Sequence, residues 1–399
     1  MSWEYKTLDE LGSVSRGRSK HRPRNDETLF GGKYPFVQTA DVKKANLYLT
    51  EYESTYNEKG LEQSKLWKAG TLCITIAANI ADTAILGIDA CFPDSVMGFI
   101  PYDGIANVKF VKYAFDMLQR DCKQISQGTA QDNLSWKKLS TIKFPAPDME
   151  VQNKIVNYLS AYDDLIENNK KQIKLLEEAA ERLYREWFVD LHFSGYEEAK
   201  IVDGVPDGWK KQKISEFGEI ITGKTPSTTK EQYYGGNIPF VKIPDMHNCV
   251  YPIVTESTLT TEGANTQKNK FIPKNGIMVS CIATVGLVNI AIEPCQTNQQ
   301  INSIVLHDEQ DLYYTYFTMK RLKALLEGVG SNGATMTNVN KTKFGNLEVL
   351  YPSNNLRKDY FDYCKPIFEK IYALSIGVHK LSQVRDGLLP KLMSGEIEV

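Results

Sequence analysis

The chain has 399 residues, 42% of them apolar and 24% charged, with a formal net charge of −2. This is the composition of an ordinary globular protein, and it excludes disordered, collagen-like and disulfide-dense classes. At roughly 100 to 200 residues per domain the length predicts two or three folded units.

Glu4, Lys6, Asp9 and Glu10 stand where a signal peptide needs an apolar core, so a cytoplasmic location is expected. The segment from Arg16 to Arg24 then sets Arg16, Arg18, Lys20, Arg22 and Arg24 in nine residues, with Gly17 and Pro23 opposing a helix. Such a loop suits phosphate contacts, because each cation displaces a condensed counterion from DNA. The near-neutral total is no objection. Residues 1 to 147 hold 19 Lys and Arg against 17 Asp and Glu, whereas 148 to 190 hold 6 against 10, so the acidity is local.

Leu72 to Ile76 reads as a strand and the amphipathic segment near 111 to 125 as a helix. The polar run Ser126 to Asn133 follows, with Gln127, Thr129, Gln131 and Asn133. Amides and hydroxyls of this kind read base edges in the major groove, although the composition also fits a plain turn.

From Ile155 to Trp187 apolar residues recur at alternating steps of four and three: Ile155, Leu159, Tyr162, Ile166, Asn169, Ile173, Leu176, Ala180, Leu183, Trp187. This is the seam of a coiled coil, about 48 Å long at 1.5 Å per residue. Ser194 to Gly208 reads as punctuation after it.

Gly218 to Thr225 satisfies the spacing of a phosphate-cradling P-loop, but Pro226-Ser227-Thr228-Thr229 cannot open the helix that such a loop requires. Lys224, Thr225 and Ser227 are read instead as a loop near DNA phosphates. The uncharged apolar run Ile277 to Ile292 is shorter than the ~20 residues of a spanning helix and reads as two buried strands, so no membrane segment is expected. A helix near 311 to 327 precedes a second polar loop containing Asn332, Thr335, Thr337 and Asn338. The last seam runs Tyr360, Cys364, Ile367, Ile371, Leu374, Val378, Leu381, Arg385, Leu388, Leu392. Arg385 is expected to snorkel or to pair with a carboxylate, and Asn169 to fix register.

Every member of the second seam lies 205 positions after its partner in the first. Asn133 and Pro147 match Asn338 and Pro352 at the same offset; Trp3, Gly12 and Gly17 match Trp209, Gly218 and Gly223 at 206. Gly31-Gly32-x-x-Pro35-Phe36-Val37 matches Gly235-Gly236-x-x-Pro239-Phe240-Val241 at 204. The chain is a tandem duplication of a mixed α+β unit followed by a long helix. Seven scattered cysteines without a C-x-x-C pair read as reduced thiols, and five scattered histidines predict no metal site. No catalytic motif is present, and two globular units on rigid spacers are the plan of a binding protein.

The chain resembles the specificity subunit of type I restriction-modification systems. The likeness rests on Phe144-Pro-Ala-Pro147, Gln152-x-x-Ile155-Val156, Leu159-x-x-x-Asp163-x-x-Ile166, Glu186-Trp-Phe-Val-Asp190, Pro206-Asp-Gly-Trp209 and Leu388 to Ile397. Gly223-x-Thr225-Pro226-Ser227 with Tyr234-x-Gly236-x-Ile238-Pro239 is similar to an opening motif of the family's recognition domains; Gly17 to His21 departs from it. The resemblance implies target recognition domains at 1–147 and 195–350, with long antiparallel spacer helices at 148–194 and 351–399, arranged with pseudo-twofold symmetry. It further implies a non-catalytic chain that binds double-stranded DNA and docks two modification subunits, on which S-adenosylmethionine sits, and restriction subunits, which use ATP and magnesium. No cofactor is expected in this chain. The alternative is a coiled-coil adaptor that binds proteins through exposed apolar patches.

Overall fold

The computed structural model describes residues 3–76, 82–125, 136–202, 205–331 and 338–399. The two seams form the longest helices, Met149–Phe188 and Asn354–Met393, each 40 residues long and 205 positions apart. Pro147 and Pro352 lie just before them, where a missing amide hydrogen costs no helical bond. Asp148 caps the first helix by accepting from the Val151 amide at 2.9 Å.

The chain divides into two units, residues 1–166 with 380–399 and residues 167–379, so each unit owns a globular part and one half of each long helix. In the first unit a five-stranded sheet runs in the order Gly12–Arg16, Val96–Pro101, Leu72–Thr75, Thr83–Leu86, Tyr48–Leu49. A four-stranded sheet runs Ser54–Tyr56, Phe30–Phe36, Ala90–Cys91, Leu66–Trp67. Helix Val108–Ile125 buries Phe110 and Phe115 beside Leu72, Ile74 and Phe99, and Ile155, Leu159, Leu389 and Leu392 of the long helices join the same core.

The second unit repeats this plan by itself. Its sheets run Gly218–Thr222, Ile301–Leu306, Ile277–Ser280, Val288–Ile290 and Ser257–Leu259, Tyr234–Val241, Gln296–Thr297. The uncharged run thus holds two buried strands, as its composition predicted. The helix expected near 311 to 327 is two helices, Leu312–Arg321 and Lys323–Ser331.

The duplication extends to hydrogen-bond register. The pairing shift between Phe30 and Tyr34 recurs between Tyr234 and Ile238. Gly31 and Gly235 supply the positive φ there, 83° and 80°, which explains why the Gly-Gly pair appears twice. Short pairs, Glu4–Lys6 with Phe144–Ala146 and Lys210–Lys213 with Glu348–Tyr351, tie the start of each globular part to the residues before its long helix.

The seam residues are buried or half-buried, but the buried faces are wider than a two-helix seam. Tyr184, Phe188, Phe361 and Phe368 are buried as well, packed with Tyr313, Tyr314 and Phe317 of the second globular part. Each half-helix serves its own domain core in addition to the other helix. In the second unit Tyr360 donates to the Ala180 carbonyl at 2.9 Å, and Asn169 Nδ2 lies 3.3 Å from where a Cβ on Gly377 would stand. Numbers rise along one helix as they fall along the other, so these halves run antiparallel.

Candidate nucleic-acid interface

The basic loop of the first unit leaves strand Gly12–Arg16 and is fixed by its backbone. The Gly17 amide donates to Val96 O at 2.8 Å and that of Arg18 to Phe92 O at 3.0 Å. A side chain at Gly17 would meet Pro93 O at 2.3 Å, so only glycine passes here. Gln63 then accepts at Oε1 from the His21 amide at 3.1 Å, and Ser64 donates to Arg18 O at 2.7 Å.

The five cations separate into two groups. Arg16, Arg18 and Lys20 are exposed and have no ion pair among the described residues. Arg22 turns back on its own loop, donating from Nη1 to Ser19 O at 2.7 Å and His21 O at 2.8 Å. Arg24 donates from Nη2 to both oxygens of Asp94, at 2.7 and 2.9 Å. Asp26 ends the loop; hydrogen bonds from Thr28 Oγ1 and N, with His21 beside them, hold its carboxyl down at about 2.

In the second unit Gly223 donates to Ile301 O at 3.1 Å and Lys224 to Thr297 O at 2.9 Å. A Cβ at Gly223 would lie 2.2 Å from Asn298 O. Gln267 Nε2 donates to Lys224 O at 2.7 Å, Thr225 Oγ1 to Gln299 Oε1 at 2.7 Å, and Tyr234 to Pro226 O at 2.8 Å. Ser227 shares a 2.9 Å hydrogen bond with Thr229, and Lys224 is exposed. No helix opens after Gly223, where 223–228 is irregular, so the phosphate-cradling geometry of a P-loop is not formed.

Thus Arg18 and Lys224, 206 positions apart, hang from Phe92 and Thr297, 205 apart, by the same bond. The backbone is conserved between the units although Gly17-Arg-Ser-Lys-His21 and Gly223-Lys-Thr-Pro-Ser227 share little else. Sequence reading missed the glutamines Gln63 and Gln267 that brace both loops. Their offset of 204, the same as that of the Gly-Gly motif, was the available signal.

Of the polar loops, Gln127, Thr129, Gln131, Asn133, Asn332, Thr335 and Thr337 lie outside the described residues. Asn338 is exposed and forms a backbone bridge to Ile282, while Asn302 Nδ2 donates to the neighbouring Val339 O at 3.1 Å.

The first unit also contains a polar cavity of about 430 Å³, lined among others by Thr83, Lys112, Tyr113, Asp116, Asp163 and Arg385. Arg385 pairs with Asp163 at 2.6 Å, as its seam position suggested, and Tyr113 donates to the other Asp163 oxygen at 2.6 Å. Lys112 meets Asp116 at 2.5 Å, and burial raises the Asp116 carboxyl despite that partner.

The description of a type I restriction modification DNA specificity domain matches this chain twice, over residues 1–178 and 206–371. The chain belongs to that family. The HindI specificity subunit of Haemophilus influenzae is 30% identical, with 97% of this chain and 98% of that protein covered. The MjaIX specificity subunit of Methanocaldococcus jannaschii is 26% identical over 100% of this chain and 94% of its own length. The crystal structure of an S subunit from M. genitalium, 16% identical, covers 98% of this chain and 96% of its own with a TM-score of 0.58, a likeness of fold. As a member of this family the chain is a DNA specificity subunit, and the relatives lend no support to the adaptor reading.

Proposed function

We propose that each unit reads one half of a split double-stranded DNA site. The observation that carries this is the repeated loop anchor: one backbone geometry, fixed by Gly17 and Gly223, presents two different sets of polar side chains. In the first unit Arg16, Arg18 and Lys20 set phosphate register; in the second Lys224, Thr225 and Ser227 do so, with base-edge contacts adding sequence information. The polar loops carrying Gln127, Thr129, Gln131 and Asn133, and Asn332, Thr335, Thr337 and Asn338, belong to the same reading.

The long helices act as spacers that set the gap between half-sites and as the docking surface for two modification subunits. Those partners supply S-adenosylmethionine and methylate adenine N6, and restriction subunits with ATP join them in the cytoplasm. This chain contributes recognition and no chemistry of its own.

The experiment is to co-express the chain with its modification partner in a methylation-free host and map N6-methyladenine across the genome. One bipartite motif with a fixed gap is the expected result. Absence of methylation by a folded, cofactor-binding partner contradicts the reading.

A further inference from the structure

We infer that Asp163 is a positioning residue for the gap between the half-sites: it fixes the angle at which the first recognition domain stands on the long helices. This rests on the DNA-reading function proposed above and goes beyond it by naming the joint that makes the gap strict.

Three elements of the first unit meet at this carboxylate. Asp163 lies on the first long helix, its Oδ1 accepts from Arg385 Nη1 of the second at 2.6 Å, and its Oδ2 accepts from Tyr113 Oη of the globular helix Val108–Ile125 at 2.6 Å. Asp163 and Tyr113 are 3% and 2% exposed, and Asp386 holds Arg385 from its other nitrogen, Nη2, at 2.8 Å. Buried hydrogen bonds to a charged group are short and directional, so they fix orientation as well as separation.

The place along the helix gives this node leverage. Gln152 clamps the first turn to Pro147, Ile105 and Asn107, and Ile155, Val156 and Leu159 then pack in the core of the globular part. Asp163 follows Gln152 by eleven residues, about 16 Å of helix. One attachment is a pivot; two that far apart define a direction. Toward Lys43, Thr83 and Asp116 the node borders the polar cavity of about 430 Å³, so on that side no close packing stands in for the hydrogen bonds.

The second unit secures the equivalent joint by other means. Phe368 stands 205 positions after Asp163, and the rings of Tyr313, Tyr316 and Phe317 meet it at centroid distances of 4.3, 5.5 and 5.9 Å. Packing against three rings resists tilting without depending on one bond. A base pair occupies only about 3.4 Å of duplex. Tilting at the first joint therefore changes the gap and leaves the reading loops, and with them the half-site sequences, as they are.

The test maps N6-methyladenine for the full chain in complex with its modification partner in a methylation-free host and scores the gap at every methylated site. Tyr113→Phe removes the bond from the globular helix and leaves the Asp163–Arg385 pair. It is expected to raise methylation at gaps one base pair longer or shorter on the order of tenfold relative to the original gap, the worth of one hydrogen bond to a charged group, with both half-site sequences unchanged. Asp163→Ala removes both bonds and is expected to broaden the gap further; if it does not fold, Tyr113→Phe decides alone. Thr318→Val removes the hydrogen bond to Tyr184 in the second unit and is expected to leave the gap strict. Weaker methylation confined to the original gap in the first-unit variants would make Asp163 a stabilising residue only and overturn the assignment, as would equal broadening by Thr318→Val or altered half-sites. A wild-type complex that yields no bipartite motif removes the DNA-reading function itself, whereas a wild-type motif whose single gap every variant keeps sinks this assignment alone.

Discussion

Two equivalent places in the repeat are built from opposite chemistry. In the first unit the packing of long helices on the globular helix carries Asp163, Arg385 and Tyr113 around a polar cavity. At the positions 205 away, the second unit has Phe368, Ala180 and Thr318, and the same space is an aromatic core. Phe368 packs on Tyr313 with ring centroids 4.3 Å apart and the rings tilted by 30°, and Tyr184 and Thr318 share a 2.9 Å hydrogen bond. The first helical turns differ in the same manner. Gln152 bridges Pro147 O, Ile105 O and the Asn107 amide as a neutral clamp. Its counterpart Arg357 reaches Pro352 O and the buried Asp311 as a charged one. Backbone geometry survives duplication because shape and register preserve it; the chemistry inside drifts as long as polar groups stay paired.

The largest effects are therefore expected in the second unit. Phe368→Ala, at a site with no exposure, should cost about 3–5 kcal/mol, measured by urea unfolding with hydrogen exchange resolved to that unit. Arg357→Ala leaves Asp311, 1% exposed, without its cation, and a loss of about 3–5 kcal/mol is expected at neutral pH. Burial already raises the Asp311 carboxyl. A folded-state value above the unfolded one means that ionisation opposes folding, so the loss should shrink as pH falls and Asp311 takes up a proton. A loss that grew on acidification would break this part of the comparison.

In the first unit Arg385→Ala should cost less, below ~3 kcal/mol, because the arginine is partly exposed and Tyr113 still donates to Asp163. Asp163→Phe combined with Arg385→Ala installs the pair of the second unit and should recover most of that loss. Failure to recover would mean that the two sites differ in backbone as well as in chemistry. The smallest effect on stability is expected from Arg16, Arg18 and Lys20 changed together to Ala. Folding should be unaffected, binding to all DNA sequences weaker, and the salt dependence flatter.

Much of this was legible in the sequence because repetition and period are additive signals. The offset of 205 placed both long helices, and the Gly-Gly pair marked both bulges. The same period described only one stripe, so it did not show that Phe361 and Phe368, outside that stripe, would be buried against the globular helices. Gln63, Gln267 and Asp94 were missed for a different reason. Each acts through long-range hydrogen bonds of its side chain, two of them from Arg24 to Asp94, and apart from the 204-residue offset of the two glutamines no period in the sequence marks them.

The central claim, two independent readers joined by helical spacers, is tested most directly by inserting one heptad into both long helices, after Ile166 and after His379. Methylation is then mapped for the resulting complex. The expected result is a changed gap between two unchanged half-sites. Altered half-site sequences, or the original gap retained by an active complex, would contradict the account.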